Sequence, residues 1–386
     1  MKFSIIKNPT NFQASLIIFF FYSSAGALFP IFNLLFQEKG FTIAAISYLL
    51  VIPNLFNLFA GPLWASIADI FNIHKRVLTL TMALTIPFII ALNFTKSYSG
   101  TMVIFSLFAF SFAPLLTMTD NAVLNILGND QHQFGRIRVW GSISYGLSAW
   151  LVGLLTDHYG INIAYWISAL AMVVTIIITW NLPTKPAVKT PSFWDNFYHL
   201  MKDKSWLFFL AGVFMAGYGQ SLIMGYFPAL IKDLGAKNSL IGLAIYISAI
   251  SEIPIMIFSP YFFKKISLKK LFLISFFALI LRNLGYILFG NMIPIIFTQL
   301  LHGLTSSLFW ITAILYARSI APEGLKATSL AILGAIYYGL AGLTGSFLGG
   351  QIYSKFGPIV MFQTGLLLAF IGTLIFLLKI KNVAPD

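Results

Sequence analysis

The chain has 386 residues, of which 59% are hydrophobic and 9% charged, with a formal net charge of +13. Soluble domains are about a quarter charged, so this composition excludes an ordinary soluble enzyme or binding module and indicates a polytopic membrane protein. The basic residues sit in short segments between apolar runs, which is membrane topology rather than nucleic-acid binding; cysteine is absent, which excludes a disulfide framework, a thiolate metal site and a cysteine nucleophile.

In chain order, Met1 to Gln13 is mixed polar, and the apolar run from Phe12 to Phe36 is too long for a signal-peptide core. It reads as the first spanning helix. With about 20 residues per crossing, the spans fall near 12–36, 42–68, 77–94, 100–124, 138–157, 161–181, 206–231, 237–262, 270–289, 292–317, 327–353 and 358–378. The expected fold is therefore all-α and polytopic, with about 12 transmembrane helices. If the N-terminus is cytoplasmic, one side carries 18 Lys/Arg residues and the other only Lys39, Lys96, Lys232, Lys237 and Lys355, Arg282 being interior. That asymmetry satisfies the positive-inside rule with both termini cytoplasmic, and the setting expected is a bacterial inner (plasma) membrane.

The longest polar interruption, Pro183 to Ser205, is rich in Pro, Lys and Thr and includes a candidate surface helix over Ser192 to Lys204. It divides the chain into an N-terminal six-helix bundle (1–182), a cytoplasmic central loop (183–205) and a C-terminal six-helix bundle (206–386). The halves echo one another. Arg136 to Gly160 and Lys326 to Gly357 each begin basic, continue as a Gly/Ser-rich apolar helix and end in a polar turn with Gly. Two pseudo-symmetric bundles of this kind are expected to hold a solute near mid-membrane, at their interface. The glycine-rich eleventh span, with Gly345 and Gly349 at small-xxx-small spacing, suits close helix packing inside a monomer.

Asp120, Glu252, Arg282 and His302 lie deep within apolar stretches, and Arg138 opens another. A charge at the centre of a membrane helix costs roughly 2.5–3.5 kcal/mol on the lenient insertion scale, so these residues are expected to face inward and line a pathway for a solute and a proton. Arg138, Ser142 and Tyr145 fall at i, i+4 and i+7 on one helical face. Thr117 and Asp120 are i, i+3 on the preceding span, where the acid can meet Arg138. In the second half, Gln299, His302 and Ser306 share a face. Glu252 beside Arg282 and His302 supplies a carboxylate able to load and release a proton near neutral pH. The plainer alternatives are structural ion pairs for both sets of charges and a hydrogen-bonded packing role for His302. Tyr22, Trp140, Tyr145, Trp310 and Tyr338 are aromatic faces on offer to a solute. Neither a P-loop, a metal-ligand cluster nor a catalytic triad is readable, so the chain is expected not to be an enzyme and to need no cofactor beyond an ion gradient.

Ser66 to Arg76 (SIADIFNIHKR) resembles, in degraded form, the cytoplasmic loop motif of the major facilitator superfamily. Asp69 and the closing basic residues, including Arg76, are present, whereas Ser66, Ile70 and Asn72 replace the motif's Gly, Arg and Gly. The resemblance implies conformational gating by Asp69 and Arg76; a plain helix-end Asp is the alternative. Further segments are similar to the branch of phenylpropionate-type transporters and lactose permease, which includes oligosaccharide and nucleoside proton symporters. These are Phe21-Tyr22 with Gly26 and Pro30, Leu116-Thr117 with Asp120-Asn121-Ala122, Phe134 to Ser142, Ser251-Glu252, Leu281-Arg282 and Gln299 to His302. The resemblance implies substrate binding by Asp120, Arg138, Ser142, Tyr145, Gln299 and Tyr22, and proton coupling by Glu252, Arg282 and His302. Three departures weaken a galactoside reading. Thr305 stands where that permease has a Glu one turn after the His, and Gln299 where it has a Lys one turn before. The partner acids of the seventh span are also missing, that region reading Gly217-Tyr218-Gly219-Gln220-Ser221.

The expected activity is secondary transport by alternating access, with proton-coupled uptake of a small organic solute: an aromatic or other carboxylic acid, a nucleoside or a saccharide. The partners expected are the solute, the proton and the lipid bilayer, with no nucleic acid. The alternative is a proton-coupled exporter of a drug, siderophore or metabolite, and a non-transporting membrane sensor is a third reading.

Overall fold

The computed structural model describes residues 9–71, 73–127, 134–180, 202–321 and 326–380. Most of the central loop, including 192–201 of its candidate surface helix, lies outside them. The elements are α1 (Pro9–Leu28), α2 (Phe32–Glu38), α3 (Ile43–Phe71), α4 (His74–Phe94), α5 (Tyr98–Phe112), α6 (Leu115–Leu127), α7 (Phe134–Tyr159) and α8 (Ile163–Trp180). They continue with α9 (Lys204–Asp233), α10 (Asn238–Lys265), α11 (Leu268–Leu288), α12 (Met292–Phe297), α13 (Phe309–Ile320), α14 (Lys326–Gly334) and α15 (Ala341–Lys379). No strand occurs among the described residues.

Eleven helical runs among the described residues are long and apolar enough to cross a membrane, so the protein is an integral, multi-pass membrane protein. The last run, Ile332–Lys379, has 48 residues, which at 1.5 Å per residue exceeds twice the roughly 30 Å hydrocarbon thickness. It turns at Gly357, whose φ of 84° lies in the left-handed region, with Pro358 following. This run therefore accounts for the two final spans expected from the hydropathy.

Other spans are single in hydropathy but broken in backbone. The first is interrupted by a 3₁₀ turn at Phe29–Ile31 containing Pro30. The fourth breaks between α5 and α6, where Pro114 lacks the N–H that would continue the ladder. The tenth passes from α12 through a 3₁₀ turn (Thr298–Leu301) and a π-helical turn (Leu304–Leu308) into α13. A second π turn, Ala335–Leu340, joins α14 to α15. Such turns commonly accompany functional positions.

The chain forms two compact units. One comprises residues 1–41, 55–189 and 237–249; the other comprises 42–54, 190–236 and 250–386. The helices α3 and α10 each run from one unit into the other, α10 changing unit between Ala249 and Ile250.

In the first unit α1 packs against α7 and α8. Ser168 Oγ lies 2.9 Å from Ser24 Oγ, Ser148 donates to the Ser23 carbonyl at 2.8 Å, and Gln13 donates to the Ile178 carbonyl at 3.2 Å. Without aqueous competition these polar side chains bind adjacent helices to one another. Phe32, Phe36, Phe105, Phe108 and Phe112 stack along the α2–α5 contact. Lys39 donates to the Leu92 and Thr95 carbonyls at 2.9 and 2.8 Å, closing the C-terminus of α4.

In the second unit α9 lies against α15. A Cβ at Gly345 would fall 1.8 Å from Ser221 Oγ, and one at Gly349 2.4 Å from Leu222 Cδ2, so the glycine stripe is consumed by packing within the chain. The Tyr226 hydroxyl donates to the Ser346 carbonyl across this contact.

Candidate functional site

The first charged cluster lies in the first unit on α1, α6 and α7. The Arg138 guanidinium sits 4.0 Å from the Tyr22 ring centroid, a cation–π geometry. Its Nε is 3.9 Å from Asp120 Oδ1. That distance is an ion pair without a hydrogen bond, and Asp120 Oδ1 is buried with no hydrogen-bond partner among the described residues. Arg138 can stack in this way because residue 141 is glycine: a Cβ there would lie 2.7 Å from Arg138 Nη1 and 3.0 Å from the Tyr22 ring. The side chains of Arg138 and Asp120 remain 27% and 28% exposed. A guanidinium resting on a ring keeps its N–H edges for an oxygen-bearing ligand. Ser142 is buried and Tyr145 half-buried on the same helix, as the i, i+4, i+7 spacing requires.

The second cluster lies in the second unit and is a buried hydrogen-bond network, in which Arg282 Nε and Gln220 Oε1 lack a hydrogen-bond partner among the described residues. Arg282 on α11 is fully buried. Its Nη2 donates to Gln299 Oε1 at 2.9 Å, while Nη1 donates to Thr305 Oγ1 at 2.7 Å and lies 3.2 Å from His302 Nδ1. Gln299 Nε2 donates to the Tyr286 hydroxyl at 2.9 Å. His302 Nε2 is 3.3 Å from Glu252 Oε1. Glu252, Arg282, Gln299 and His302, expected to meet, are thus brought together.

Close approach of α10 makes this contact possible. Gly303 N–H donates to Ser251 Oγ at 2.8 Å, and a Cβ on residue 303 would lie 2.1 Å from the Ser251 carbonyl oxygen. Only a glycine allows the backbone beside His302 to reach the backbone beside Glu252.

One expectation is corrected here. Regular α-helical spacing groups Ser306 with Gln299 and His302, but the 3₁₀ and π turns change the register, and Thr305 is the hydroxyl that binds Arg282. Three contributors were missed as site residues: Thr305, Tyr286 and Gln220, whose Nε2 lies 3.5 Å from His302 Nδ1. Neutral residues in apolar helices carry no charge signal in sequence.

The remaining aromatic candidates pack beside these clusters, Tyr22 bordering the same hydrophobic core as Trp140. Trp140 packs edge-on to Phe19 in a hydrophobic cluster with Ile18 and Ile137, and Trp310 packs against Tyr337 and Tyr338. Arg76 is exposed in the first turn of α4, and the Asp69 side chain lies outside the described residues. A groove of about 520 Å³, lined by Phe56, Met102, Val103, Leu107 and Phe110 among others, is apolar and holds none of the site residues. No group of three or more metal-ligating side chains occurs among the described residues.

Residues 12–364 match the model of the MFS_1 like family. The chain belongs to that family. Among family relatives, the maltose permease of Geobacillus stearothermophilus is 25% identical over 95% of this chain and 94% of its own. Among solved structures, the nucleoside transporter NupG superposes with a TM-score of 0.81 at 18% identity, covering 96% of this chain and 98% of its own. A D-xylose-proton symporter superposes with a TM-score of 0.75 at 12% identity, covering 99% and 100%. At these identities the superpositions establish the transporter fold, and the residue roles must be argued from this chain.

Proposed function

We propose that this protein is a secondary active transporter that takes up a small organic solute with a proton by alternating access. The observation that carries the reading is the pair of interior clusters: an arginine with unused donors beside a carboxylate in the first unit, and a carboxylate hydrogen-bonded to a histidine in the second. Interior ionisable groups at this cost imply a pathway. Arg138, Asp120, Ser142, Tyr145 and Tyr22 bind the solute. Glu252 takes up and releases the proton, with His302 as its hydrogen-bond partner and Arg282 as the buried positive charge behind it.

Saccharides and nucleosides are the favoured solutes. The similar proteins are named for maltose, nucleosides and xylose, and a hydroxyl-rich solute uses both the donors of Arg138 and the acceptors of Asp120. A carboxylate solute would satisfy Arg138 but repel Asp120. The lysine and arginine asymmetry supports placing both termini on the cytoplasmic side, and the membrane we assign is a bacterial inner membrane. Asp69 and Arg76 are assigned to gating, and the transporter works as a monomer.

The test is the internal pH of proteoliposomes as maltose-type disaccharides, nucleosides and aromatic acids are added outside in turn. Solute-dependent acidification with a saccharide or nucleoside supports the reading. Acidification with aromatic acids alone would overturn the solute class, and carrier-mediated uptake with no proton movement would overturn the coupling.

A further inference from the structure

His302 Nδ1 is approached by Arg282 Nη1 at 3.2 Å and by Gln220 Nε2 at 3.5 Å. A guanidinium has only donors. Nδ1 must therefore present its lone pair, and a neutral imidazole that accepts at Nδ1 carries its hydrogen on Nε2. Nε2 is the atom that lies 3.3 Å from Glu252 Oε1. We infer that Arg282 is a positioning residue that fixes His302 in the Nε2–H tautomer, so that the ring donates its single hydrogen into the Glu252 carboxylate.

Arg282 can do this because its own position is over-determined. Gln299 Oε1 and Thr305 Oγ1 accept from separate guanidinium nitrogens, and the Gln299 amide is in turn oriented by its donation to Tyr286. Since Arg282 cannot accept, Gln299 must turn its oxygen toward it and its NH₂ toward Tyr286. The hydrogens from the Gln299 amide through Arg282 to His302 Nε2–H thus each have one direction. All the acceptors that Arg282 meets are neutral, so its charge is balanced at a distance, across the imidazole, by Glu252.

The arrangement decides where an added proton goes. A second hydrogen on the ring would sit on Nδ1 against the Arg282 N–H group, whereas a proton on Glu252 leaves Arg282–His302 intact and the Nε2–H still able to donate to a carboxyl oxygen. The groups facing the ring are Glu252 from α10, Arg282 from α11 and Gln220 from α9. Tyr337, in the turn after α14, is within the field of both charges. Toward Nδ1 both Arg282 and Gln220 turn nitrogens, the Gln220 Oε1 pointing elsewhere and lacking a hydrogen-bond partner among the described residues. The function of this tautomer rests on the proton-coupled reading above, but its geometry does not.

The experiment is nitrogen NMR of the full-length protein labelled with ¹⁵N in its histidine rings, with His302 assigned against the other four histidines by difference with His302→Asn. The expected result is a pyridine-type Nδ1 and a pyrrole-type Nε2 from about pH 8 to about pH 5, a range over which an unperturbed histidine would ionise. An Nδ1–H signal, or a doubly protonated ring across that range, would overturn the inference. Arg282→Met is expected to mix the tautomers; unchanged ring signals in that variant would remove Arg282 as the fixing group. If Arg282→Met does not fold, the wild-type spectrum alone still decides the tautomer. The spectrum requires no flux, so failure here and failure of the transport reading are distinguishable. In transport, His302→Gln, whose amide reaches the Nε2 position, should keep solute-driven proton uptake at least about tenfold above His302→Asn, equivalent to about 1.4 kcal/mol; the reverse order would contradict the tautomer.

Discussion

The two interior arginines sit in opposite surroundings. Arg138 is partly exposed, rests on the Tyr22 ring and stands 3.9 Å from Asp120 without a hydrogen bond. Arg282 is fully buried, and its terminal nitrogens are committed to Gln299, Thr305 and His302. A group that is to bind a passing solute needs reachable donors to spare, whereas the one donor without a partner on Arg282, Nε, is buried. The contrast is the ground on which solute contact is proposed for Arg138 and orientation for Arg282, although both are arginines in apolar helices.

The largest effect should come from Glu252→Gln, which is expected to abolish pH-driven accumulation while solute exchange continues; normal accumulation by this variant in proteoliposomes would remove Glu252 from the coupling role. Next, Gly303→Ala forces a methyl into the Ser251 backbone. It should cost roughly 1–3 kcal/mol of stability, as overpacking does, and lower proton coupling with it. A thermal midpoint and coupling ratio equal to wild type would show that the α10 approach is not needed. Arg138→Lys keeps the charge but loses the planar fork. It should weaken solute binding about 10- to 100-fold, or about 1.4–2.8 kcal/mol, with little change in thermal stability, because no protein hydrogen bond is lost. A large fall in stability with unchanged affinity would make Arg138 structural and erase its difference from Arg282.

Smaller effects sharpen the same contrast. Tyr22→Phe preserves the ring beneath Arg138 and should bind nearly as wild type, whereas Tyr22→Leu should lose roughly 0.5–1 kcal/mol of binding; equal affinities for the two would mean that the stacking is incidental. The smallest concerns Lys39, which closes α4 outside both clusters. Lys39→Met should cost about 0.3–1 kcal/mol of stability without altering transport. Burial pushes the Lys39 ammonium below its ordinary value of 10.5, so the unfolded chain binds that proton more tightly. Stability should therefore rise as pH climbs from the folded toward the unfolded value. A thermal midpoint followed over that window in wild type and Lys39→Met checks the sign, since only the wild type carries this increment.

Much of this was legible in the sequence for one physical reason. In hydrocarbon a charge is so costly that its presence marks an inward-facing position, and Asp120, Arg138, Glu252, Arg282 and His302 were each visible on that ground. The spans were visible because their length is set by bilayer thickness. What stayed hidden depends on backbone irregularity and on neutral side chains. The π turn at Leu304–Leu308 breaks the regular spacing that groups Ser306 with Gln299 and His302, and Thr305 binds Arg282 there; no hydropathy pattern encodes that. Tyr286 and Gln220 are ordinary residues of apolar helices until the fold places them beside Gln299 and His302. Gly141 and Gly303 matter through the absence of a Cβ at one contact each, which a sequence containing 29 glycines does not single out.

The most direct test of the account compares wild type, Glu252→Gln and Arg138→Lys in one proteoliposome preparation, reading solute exchange and solute-driven internal acidification side by side. The account predicts both activities in wild type, exchange without acidification in Glu252→Gln, and in Arg138→Lys both activities with their half-saturation shifted about 10- to 100-fold to higher solute concentration. Solute-driven acidification persisting in Glu252→Gln would contradict it.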